Sequence, residues 1–413
     1  MNQASVETTH DETRIIRELA AQVGEIARKP VQRERRELWR SVNSLGRGRP
    51  PVYVLTNELE AMGKEILTED KILCTDPFLR RIEYDLRYLI FKDGVGDDHV
   101  VEPFYTVPAV LEPYGREYKL FQYAPKVIGY LKGEEDLDKF GPLHHGIDEG
   151  KTKERFDFVT ELFGGHLQVD VSRRPAYTSM VHLDEIPMMF GMEEFLYAVI
   201  DRPDFVKQIT KLVSDGLVQM THDGERSGDL SASAFAYNQA QPYCRELPDP
   251  EPNRYGLKLS QLWGWTQAQC YGDLSPEMTK EFLYDYQFPL AREFGLTGVG
   301  CCEDLTRKIP ILKEELPNLR RVSISPWSDV ARCAEQLEDR YVLSWRPNPA
   351  TMICCDWEPA YVRRFMRENL ETMRGRGCHM DITLKDVQTV RNEPWRFAEW
   401  VRIVRDTIDG FDW

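Results

Sequence analysis

The sequence lacks any long apolar run. No stretch of its 413 residues approaches the roughly 18 apolar residues that a membrane-spanning helix needs, so we predict no membrane association. Residues 1–36 are polar and charged, and they lack the apolar core of a secretory signal peptide. We therefore expect a cytoplasmic protein.

An excess of basic residues is also absent. The formal net charge is −15, because 68 Asp and Glu residues outnumber 53 Lys and Arg residues. Nonspecific binding of nucleic acid depends on clustered cations that neutralise phosphates. The acidic balance therefore argues against nucleic acid as a partner.

Cysteine is sparse, since the chain has nine, which is too few for a disulfide framework. Two pairs are adjacent in sequence, Cys301–Cys302 and Cys354–Cys355. Neighbouring cysteines rarely bond to each other, because the bridge strains a single peptide unit. We expect reduced thiols, most of them small buried residues.

Several common motifs are missing. No G-x-G-x-x-G follows a predicted strand and no G-x-S-x-G occurs, so nothing supports dinucleotide binding or serine-hydrolase chemistry. No repeat of 20–50 residues is visible. What the chain does have is a composition that is 42% hydrophobic and 11% aromatic, which predicts a folded protein with a large core.

Strand and helix patterns alternate along most of the chain. Residues 1–48 predict a helical extension, which a Gly- and Pro-rich segment ends. From about residue 50 onward, short apolar runs alternate with helical ones, which predicts βαβ units and a parallel sheet. The length favours a closed (β/α)₈ barrel over a doubly wound sheet. We predict an N-terminal helical extension at 1–48 and a catalytic barrel at 49–413.

Polar residues that directly follow apolar runs are the site candidates, because a barrel carries its chemistry at the carboxyl ends of its strands. The candidates are Gln267 and Gln269, Cys302 with Glu303 and Asp304, Trp327 with Ser328 and Asp329, Trp345 with Arg346 and Asn348, and His379 with Asp381.

The segment Gly300-Cys301-Cys302-Glu303-Asp304 offers a thiolate and carboxylates, which are ligand types for zinc. Adjacent residues of a strand point to opposite sides, so Cys301 and Cys302 cannot easily bind one ion together. The alternative is a strand end followed by a helix that Asp304 caps.

His379 and Asp381 share one side of an extended segment, because side chains alternate along a strand. A histidine beside a carboxylate can be a metal ligand with its orienting partner, or a general acid/base. The alternative is a core histidine with a turn aspartate. In a barrel the last strands are neighbours, so we expect Cys302, Glu303 and His379 to meet.

Residues 263–270 (Trp-Gly-Trp-Thr-Gln-Ala-Gln-Cys) place two tryptophans and then two glutamines on one strand face. This pattern suits an aromatic-lined substrate pocket with neutral hydrogen-bonding groups. The predicted substrate-binding residues are Trp265, Gln267, Gln269, Trp345, Arg346 and Asn348. The alternative is a strand that packs against the helix layer.

From about residue 160 to its end, the chain resembles the uroporphyrinogen decarboxylase superfamily. The resemblance depends on the order and spacing of five loose motifs. They are residues 195–203 (Phe-Leu-Tyr-Ala-Val-Ile-Asp-Arg-Pro), 273–278 (Asp-Leu-Ser-Pro-Glu-Met), the strand ending in 302–304 (Cys-Glu-Asp), 346–349 (Arg-Pro-Asn-Pro) and 378–383 (Cys-His-Met-Asp-Ile-Thr). The family fold is a (β/α)₈ barrel.

The resemblance implies one of two chemistries. The first is zinc-dependent methyl transfer involving corrinoid proteins, with the metal held by a His-x-Cys pair and a later cysteine. Here Gly300 stands in place of that histidine, Cys302 keeps the cysteine, and the later position falls on His379. Glu303 or Asp381 could complete the set on chemical grounds.

The second chemistry is decarboxylation of a tetrapyrrole without a cofactor. Its arginine-rich N-terminal signature, which grips substrate carboxylates, is absent from residues 36–43 here, although His379 also matches a histidine of the decarboxylases. The sequence therefore resembles the methyltransferases more closely.

We accordingly predict a methyltransferase that moves a methyl group from a small donor, preferably a methoxylated aromatic, to the cobalt of a separate corrinoid protein. The phenolate leaving group needs a Lewis acid or a proton donor, which zinc at Cys302 and His379, or His379 with Asp381, would supply. The alternatives are a decarboxylase of a small carboxylic acid that uses Arg346 and His379, and a barrel that only binds a porphyrinoid or a corrinoid protein. The sequence leaves open whether the protein is a homodimer.

Overall fold

The structure is a computed structural model that describes residues 9–113, 131, 133–177, 180–233 and 239–413. It is an α/β protein in which strands and helices alternate. The strands are β1 (Val52–Val54), β2 (Phe104–Pro108), β3 (Gln168–Ser172), β4 (Trp263–Thr266), β5 (Leu296–Val299), β6 (Leu319–Ile324), β7 (Val342–Trp345) and β8 (His379–Leu384).

The α-helices follow the alternation that the sequence predicts. They are α1 (His10–Ala27), α2 (Pro30–Asn43), α3 (Pro77–Val95), α4 (Glu149–Phe163), α5 (Ile186–Phe190), α6 (Met192–Asp201), α7 (Pro203–Arg226), α8 (Pro276–Thr279), α9 (Asp285–Ala291), α10 (Ile309–Glu315), α11 (Val330–Leu337), α12 (Pro359–Gly375) and α13 (Trp395–Ile408). Short 3₁₀ and π-helical turns connect several of them. Ser275 caps α8 by accepting a hydrogen bond from the backbone N–H of Met278, as the Ser-Pro signal predicts.

The strands form two parallel ladders. Six of them pair in the order β1-β8-β7-β6-β5-β4, and β2 pairs with β3. The prediction of a parallel α/β sheet is confirmed. Within the described residues no hydrogen-bonded ladder joins the pair to the six-stranded sheet, so the ladder is not a continuous ring.

Strand β8 shows how apolar and polar side chains are divided between the two faces of the six-stranded sheet. All six residues of the strand are buried. Met380, Ile382 and Leu384 belong to the main apolar core. Asp381 and Thr383 alternate with them, and the Thr383 hydroxyl donates to the Asp381 carboxylate at 2.8 Å. Because successive side chains of a strand point to opposite faces, β8 presents one apolar and one polar face.

The two largest of the four apolar clusters among the described residues hold most of the helices in place. The main core joins five strands of the six-stranded sheet, β1 and β5 to β8, to helices that include α12 and α13. The second core joins α1, α3 and α4 to β2 and β3. The N-terminal helix α1 therefore packs inside a shared core, while the predicted division of the chain at residue 48 stays a prediction. Within the described ranges, no helix has the length and apolar composition that crossing a bilayer requires.

Candidate active site

Two thiols and a lysine meet at the carboxyl ends of β5 and β8. Cys301 and Cys302 follow β5, and Lys385 follows β8 directly. The Lys385 Nζ atom lies 3.1 Å from Cys302 Sγ and 3.3 Å from Cys301 Sγ. The two sulfur atoms are 3.5 Å apart. We call these three residues, together with Gln239, the thiol cluster.

Within the thiol cluster, Gln239 is the residue that connects Lys385 and Cys301 to Arg346 and the interior of the sheet. Its Oε1 atom accepts hydrogen bonds from Lys385 Nζ at 3.1 Å and from Arg346 Nη1 at 2.8 Å. Its amide Nε2 lies 3.5 Å from Cys301 Sγ. Arg346 is itself fixed, because its Nη2 donates to Ser323 Oγ at 2.8 Å. The orientation of Lys385 is therefore set by a chain of buried and partly buried hydrogen bonds.

The backbone before the thiols turns through a glycine. Gly300 has φ +97, a conformation that residues with a Cβ rarely adopt. Immediately after the turn, the Glu303 carboxylate accepts hydrogen bonds from the backbone N–H groups of Cys301 and Ala268, both at 2.8 Å. Glu303 thus ties the end of β5 to the end of β4 and holds the two cysteines in position.

Replacing Gly300 by alanine is expected to lower the free energy of unfolding by about 1–3 kcal/mol, the usual cost of such a backbone conformation. A Cβ at this position would lie 2.6 Å from Leu305 Cδ1 and 3.2 Å from Ser323 Cβ. Gly94, inside helix α3, is the matched control, because a Cβ there meets nothing within 4 Å. Urea unfolding should show no loss of stability in Gly94→Ala, and an equally stable Gly300→Ala variant would contradict the argument.

The thiol cluster holds one sulfur as a thiolate. A hydrogen bond from Cys302, supported by the Lys385 ammonium, lowers the pKa of Cys301 to about 6. The same hydrogen bond and burial raise the pKa of Cys302, so this thiol keeps its proton. Although burial opposes the charge on Lys385, the two sulfurs and Asp386 raise its pKa. The cluster is therefore a thiolate–ammonium pair with a neighbouring thiol at neutral pH.

A pH titration of thiolate ultraviolet absorbance tests this assignment. Cys301 gains its negative charge as the pH rises through about 6, so the folded protein should show one absorbance step there. Burial raises the pKa of Cys74, Cys244, Cys270, Cys333, Cys354 and Cys378, which cannot contribute to that step. Cys301→Ser should lose the step and Cys333→Ser should keep it. A step that survives in Cys301→Ser would contradict the assignment.

The thiol cluster opens into a cavity of about 830 Å³, which we call the mouth cavity. Its size is at the upper end of the range of about 300–1,000 Å³ that is typical of small-molecule sites. One part of its wall is formed by Cys301, Cys302, Lys385, Asp386, Gln239 and Gln269. Another part is formed by residues of β1, the segment after it and α3, among them Tyr53, Arg81, Tyr84 and Tyr88. The cavity therefore combines a reactive centre with an aromatic surface.

A second cavity of about 400 Å³ shares Tyr53, Leu55, His99 and Gln239 with the mouth cavity. The His99 ring stacks on Tyr53, with ring centroids 5.8 Å apart. Burial, followed by the charges of Lys92 and Arg35, holds the pKa of His99 well below its usual range. A neutral imidazole therefore stands between the two cavities.

The structure places the three predicted metal ligands in three different surroundings. Cys302 lines the mouth cavity, and Glu303 binds backbone N–H groups. His379 is the first residue of β8; its Nδ1 lies 3.0 Å from the Gly46 carbonyl oxygen, and its ring lines a different cavity beside α2. A strand rises about 3.3 Å per residue, so Lys385 lies roughly 20 Å beyond His379.

None of the three residues predicted to be catalytic, His379, Asp381 and Glu303, lines the mouth cavity. Asp381 is fully buried and accepts hydrogen bonds from Arg321 Nη2 at 2.5 Å and Ser344 Oγ at 2.9 Å. Burial lowers the pKa of His379, which leaves a neutral ring at the amino end of the strand. The alternative of a core histidine with a turn aspartate agrees with the burial of His379, but Asp381 lies inside β8 and not in a turn.

Among the six residues predicted to bind substrate, only Gln269 lines the mouth cavity. Gln267 donates to the buried Asp184 carboxylate at 2.9 Å, and the Trp265 Nε1 donates to the Gly300 carbonyl at 3.2 Å. Trp345 stacks on Phe365 of helix α12 in the apolar core. The remaining two are Arg346, which holds Gln239, and Asn348, which accepts from the backbone N–H of Ala350.

Several residues of the site were not predicted. Lys385 and Asp386 follow the apolar end of β8, so the rule that located Cys302 could also have located them. Tyr84 lies on a helix and Gln239 in an irregular segment, where neither position carries a signal of function. Glu60 follows β1 and lines the mouth cavity, and burial together with Asp386 raises its pKa.

No protein-family model and no curated protein matches the chain. Among solved structures, the chain is similar to a methyltransferase from Methanosarcina mazei, with 11% sequence identity and a TM-score of 0.44. The similarity covers 91% of this chain and 98% of that chain. At this low sequence identity and TM-score, the similarity concerns only the path of the chain, and we assign no functional residue of this protein from it.

Proposed function

We propose that this protein is a methyltransferase of the uroporphyrinogen decarboxylase superfamily. It takes a methyl group from a small methoxylated aromatic donor and passes it to the cobalt of a separate corrinoid protein. One observation carries the proposal: a lysine ammonium, held by two sulfurs at 3.1 and 3.3 Å, faces a large cavity with a tyrosine-lined wall. The order of the sequence motifs supports the same assignment.

We further propose that the fold is a (β/α)₈ barrel in which the ring of hydrogen bonds between strands is interrupted. The six-stranded sheet runs through consecutive strands from β4 to β8 and then returns to β1. In a ring of eight strands, β2 and β3 fall between β1 and β4, and these two strands do pair in parallel with each other. The thiol cluster would then lie at the carboxyl-terminal mouth of the barrel, where such folds carry their chemistry.

The methoxylated aromatic fits the mouth cavity for two reasons. The rings of Tyr53, Tyr84 and Tyr88 offer flat surfaces for a substrate ring. Gln269 lines the same cavity and offers a neutral hydrogen-bonding group to a ring substituent. Because the cavity is open to solvent, a partner protein can approach it from outside.

Lys385 supplies the proton that the leaving group requires. As the bond between the methyl carbon and the ether oxygen breaks, the oxygen keeps the electron pair and takes a proton from Lys385 Nζ. A phenol and an ordinary lysine ammonium have similar pKa values, near 10, and the raised pKa of Lys385 keeps its ammonium protonated until the phenolate forms. The corrinoid of the partner would supply the nucleophile that receives the methyl group. Lys385 then regains a proton from solvent in the open cavity.

A zinc ion has no step in this mechanism. Among the described residues, no group of three His, Cys, Asp or Glu side chains is arranged to hold a metal ion. The cation that lies against the two cysteine sulfurs is the Lys385 ammonium. The donor set of Cys302, Glu303 and His379 therefore does not fit the four-coordinate site that zinc prefers.

Nothing in the site favours the decarboxylase alternative. It would need Arg346 and His379 to grip one carboxylate. Arg346 is bound to Gln239 and Ser323, while His379 lies at the opposite end of β8. The two cations therefore do not face one substrate.

Incubation of the purified protein with a Co(I) corrinoid protein, free Co(I) cobalamin and a panel of methoxylated aromatics tests the proposal. Formation of methyl-cobalt, followed by its absorbance, is expected with at least one donor, together with release of the matching phenol. Carbon dioxide release from an aromatic acid in the absence of a corrinoid would contradict the proposal and select the decarboxylase. Absence of both reactions, with no donor binding in calorimetry, would contradict an enzymatic role.

A further inference from the structure

The two sulfurs of the thiol cluster are close enough to react with each other. Cys301 Sγ and Cys302 Sγ are 3.5 Å apart, and the Lys385 ammonium lies against both. Both cysteines line the mouth cavity, so a small solute can reach them. An adjacent cation stabilises a thiolate, which is the reactive form of cysteine.

We propose that Cys301 and Cys302 form an oxidisable dithiol that reacts with hydroperoxides and closes reversibly into a disulfide. The Cys301 thiolate attacks the peroxide, the O–O bond breaks, and the leaving oxygen departs as water or an alcohol after it takes a proton. The resulting sulfenic acid on Cys301 is attacked by the Cys302 sulfur, which loses its proton, and a water molecule leaves. The dithiol is oxidised by two electrons and the hydroperoxide is reduced by two. This inference does not depend on the proposed methyl transfer.

The assignment of roles follows from the surroundings of each sulfur. Cys301 is 8% exposed and lies beside Lys385, with the Gln239 amide 3.5 Å away, so its negative charge is stabilised. Cys302 is more exposed and lies 3.5 Å from the Asp386 carboxylate, which favours the protonated thiol. The first sulfur is therefore suited to attack, and the second is suited to resolve the sulfenic acid.

Ring closure at this point breaks no helical or strand-ladder hydrogen bond, although it strains the backbone. The two cysteines lie after the end of β5, in a segment of bends outside any helix or strand. The sulfurs must approach from 3.5 Å to about 2.05 Å, the length of a disulfide bond. The Cα atoms of neighbouring residues are only about 3.8 Å apart, below the usual range for a disulfide, so the bond is strained and readily reduced.

The second pair of adjacent cysteines, Cys354–Cys355, is an internal control for the reactivity of Cys301–Cys302 because it has the same sequence spacing. Cys355 is exposed, and burial raises the pKa of Cys354. In the part of the chain that the structure describes, no side-chain hydrogen bond joins these two sulfurs or links either of them to a lysine. Adjacency is equal in the two pairs, whereas only Cys301–Cys302 has a neighbouring ammonium.

Peptide mass spectrometry after brief exposure of the full-length protein to hydrogen peroxide tests the inference. The peptide that carries residues 301 and 302 should lose the mass of two hydrogens, and dithiothreitol should restore it. Cys301→Ser and Cys302→Ser should each abolish the loss, while the double variant Cys354→Ser/Cys355→Ser should leave it unchanged. Lys385→Met should slow the reaction by about 3- to 10-fold, because the thiolate fraction falls while each thiolate becomes somewhat more nucleophilic.

Three outcomes would overturn the inference. One is faster oxidation of the pair at 354 and 355, which would mean that exposure alone decides reactivity. Another is a stable sulfinic acid on Cys301 without a disulfide. The last is no change at either cysteine. Each readout is a mass, so a protein that lacks methyltransferase activity could still confirm the dithiol, and an active methyltransferase could still disprove it.

Discussion

Replacing Lys385 by methionine is expected to lower the rate of methyl transfer by about 100- to 10,000-fold, the range that general acid catalysis contributes. Methionine fills a similar volume but can neither donate a proton nor hold a positive charge between the sulfurs at 3.1 and 3.3 Å. The methyl-cobalt absorbance measures the rate. In the same variant the thiolate absorbance step of Cys301 should move above pH 6, because one of the groups that lower the pKa of this thiol is gone.

The matched control is His379→Gln. His379 is the residue to which the sequence assigns the catalytic role, and in the structure it lies against the Gly46 carbonyl, away from the mouth cavity. Its replacement should leave the rate within about twofold, because the side chain contacts neither the thiol cluster nor the cavity. Equal losses in the two variants, or a loss in His379→Gln alone, would contradict the role of Lys385. Circular dichroism of both variants separates lost folding from lost catalysis.

The contrast between Lys385 and His379 shows which features of the site can be predicted from the sequence. Alternation along β8 correctly predicts that odd-numbered side chains share one face. It does not reveal which end of that face is the site, since a strand of six residues spans about 20 Å. His379 stands at the amino end and Lys385 just beyond the carboxyl end. Chain direction, together with the rule that chemistry lies at carboxyl ends, favours the lysine.

The order of elements could be predicted because most strands carry a plain apolar signal. The run at 341–345 predicts β7, which the structure places at Val342–Trp345. Strand β2 (Phe104–Pro108) was not predicted, because Pro103 and Pro108 bound it and proline weakens any strand signal. Within the described residues β2 pairs with β3 and not with the six-stranded sheet. This pairing depends on contacts between distant segments, which local periodicity does not encode.

The thiol cluster could be predicted only in part. Cys302 was found because it follows an apolar run that ends in glycine. Gln239 has φ +46 in an irregular segment, so no periodic pattern marks it, yet it is the residue that joins Arg346 to Lys385. Such a residue becomes visible only when the chain is folded, because its role is to satisfy two cations from different strands at once.

Replacing Asp381 by alanine should lower the free energy of unfolding by about 3–5 kcal/mol, the usual cost of breaking a buried ion pair by removing one partner. Arg321 is 1% exposed, and burial, together with the charge of Arg346, already lowers its pKa. Without Asp381, the hydrogen bonds that remain to this charge within the described residues go to neutral groups, the Asn43 side chain at 2.5 Å and the Ser344 hydroxyl at 3.1 Å. A buried charge with no counterion is costly because the surrounding protein solvates it poorly.

Urea unfolding distinguishes this structural role from the catalytic role that the sequence assigns to Asp381. Asp406→Ala is the control, because Asp406 pairs with Arg402 on the exposed face of α13, where an ion pair contributes about 0–1 kcal/mol. The double variant Arg321→Met/Asp381→Leu removes both charges together, so it should regain most of the stability lost in Asp381→Ala. A stable but inactive Asp381→Ala would contradict the structural role. A double variant no more stable than Asp381→Ala would show instead that lost packing, not an unpaired arginine, causes the effect.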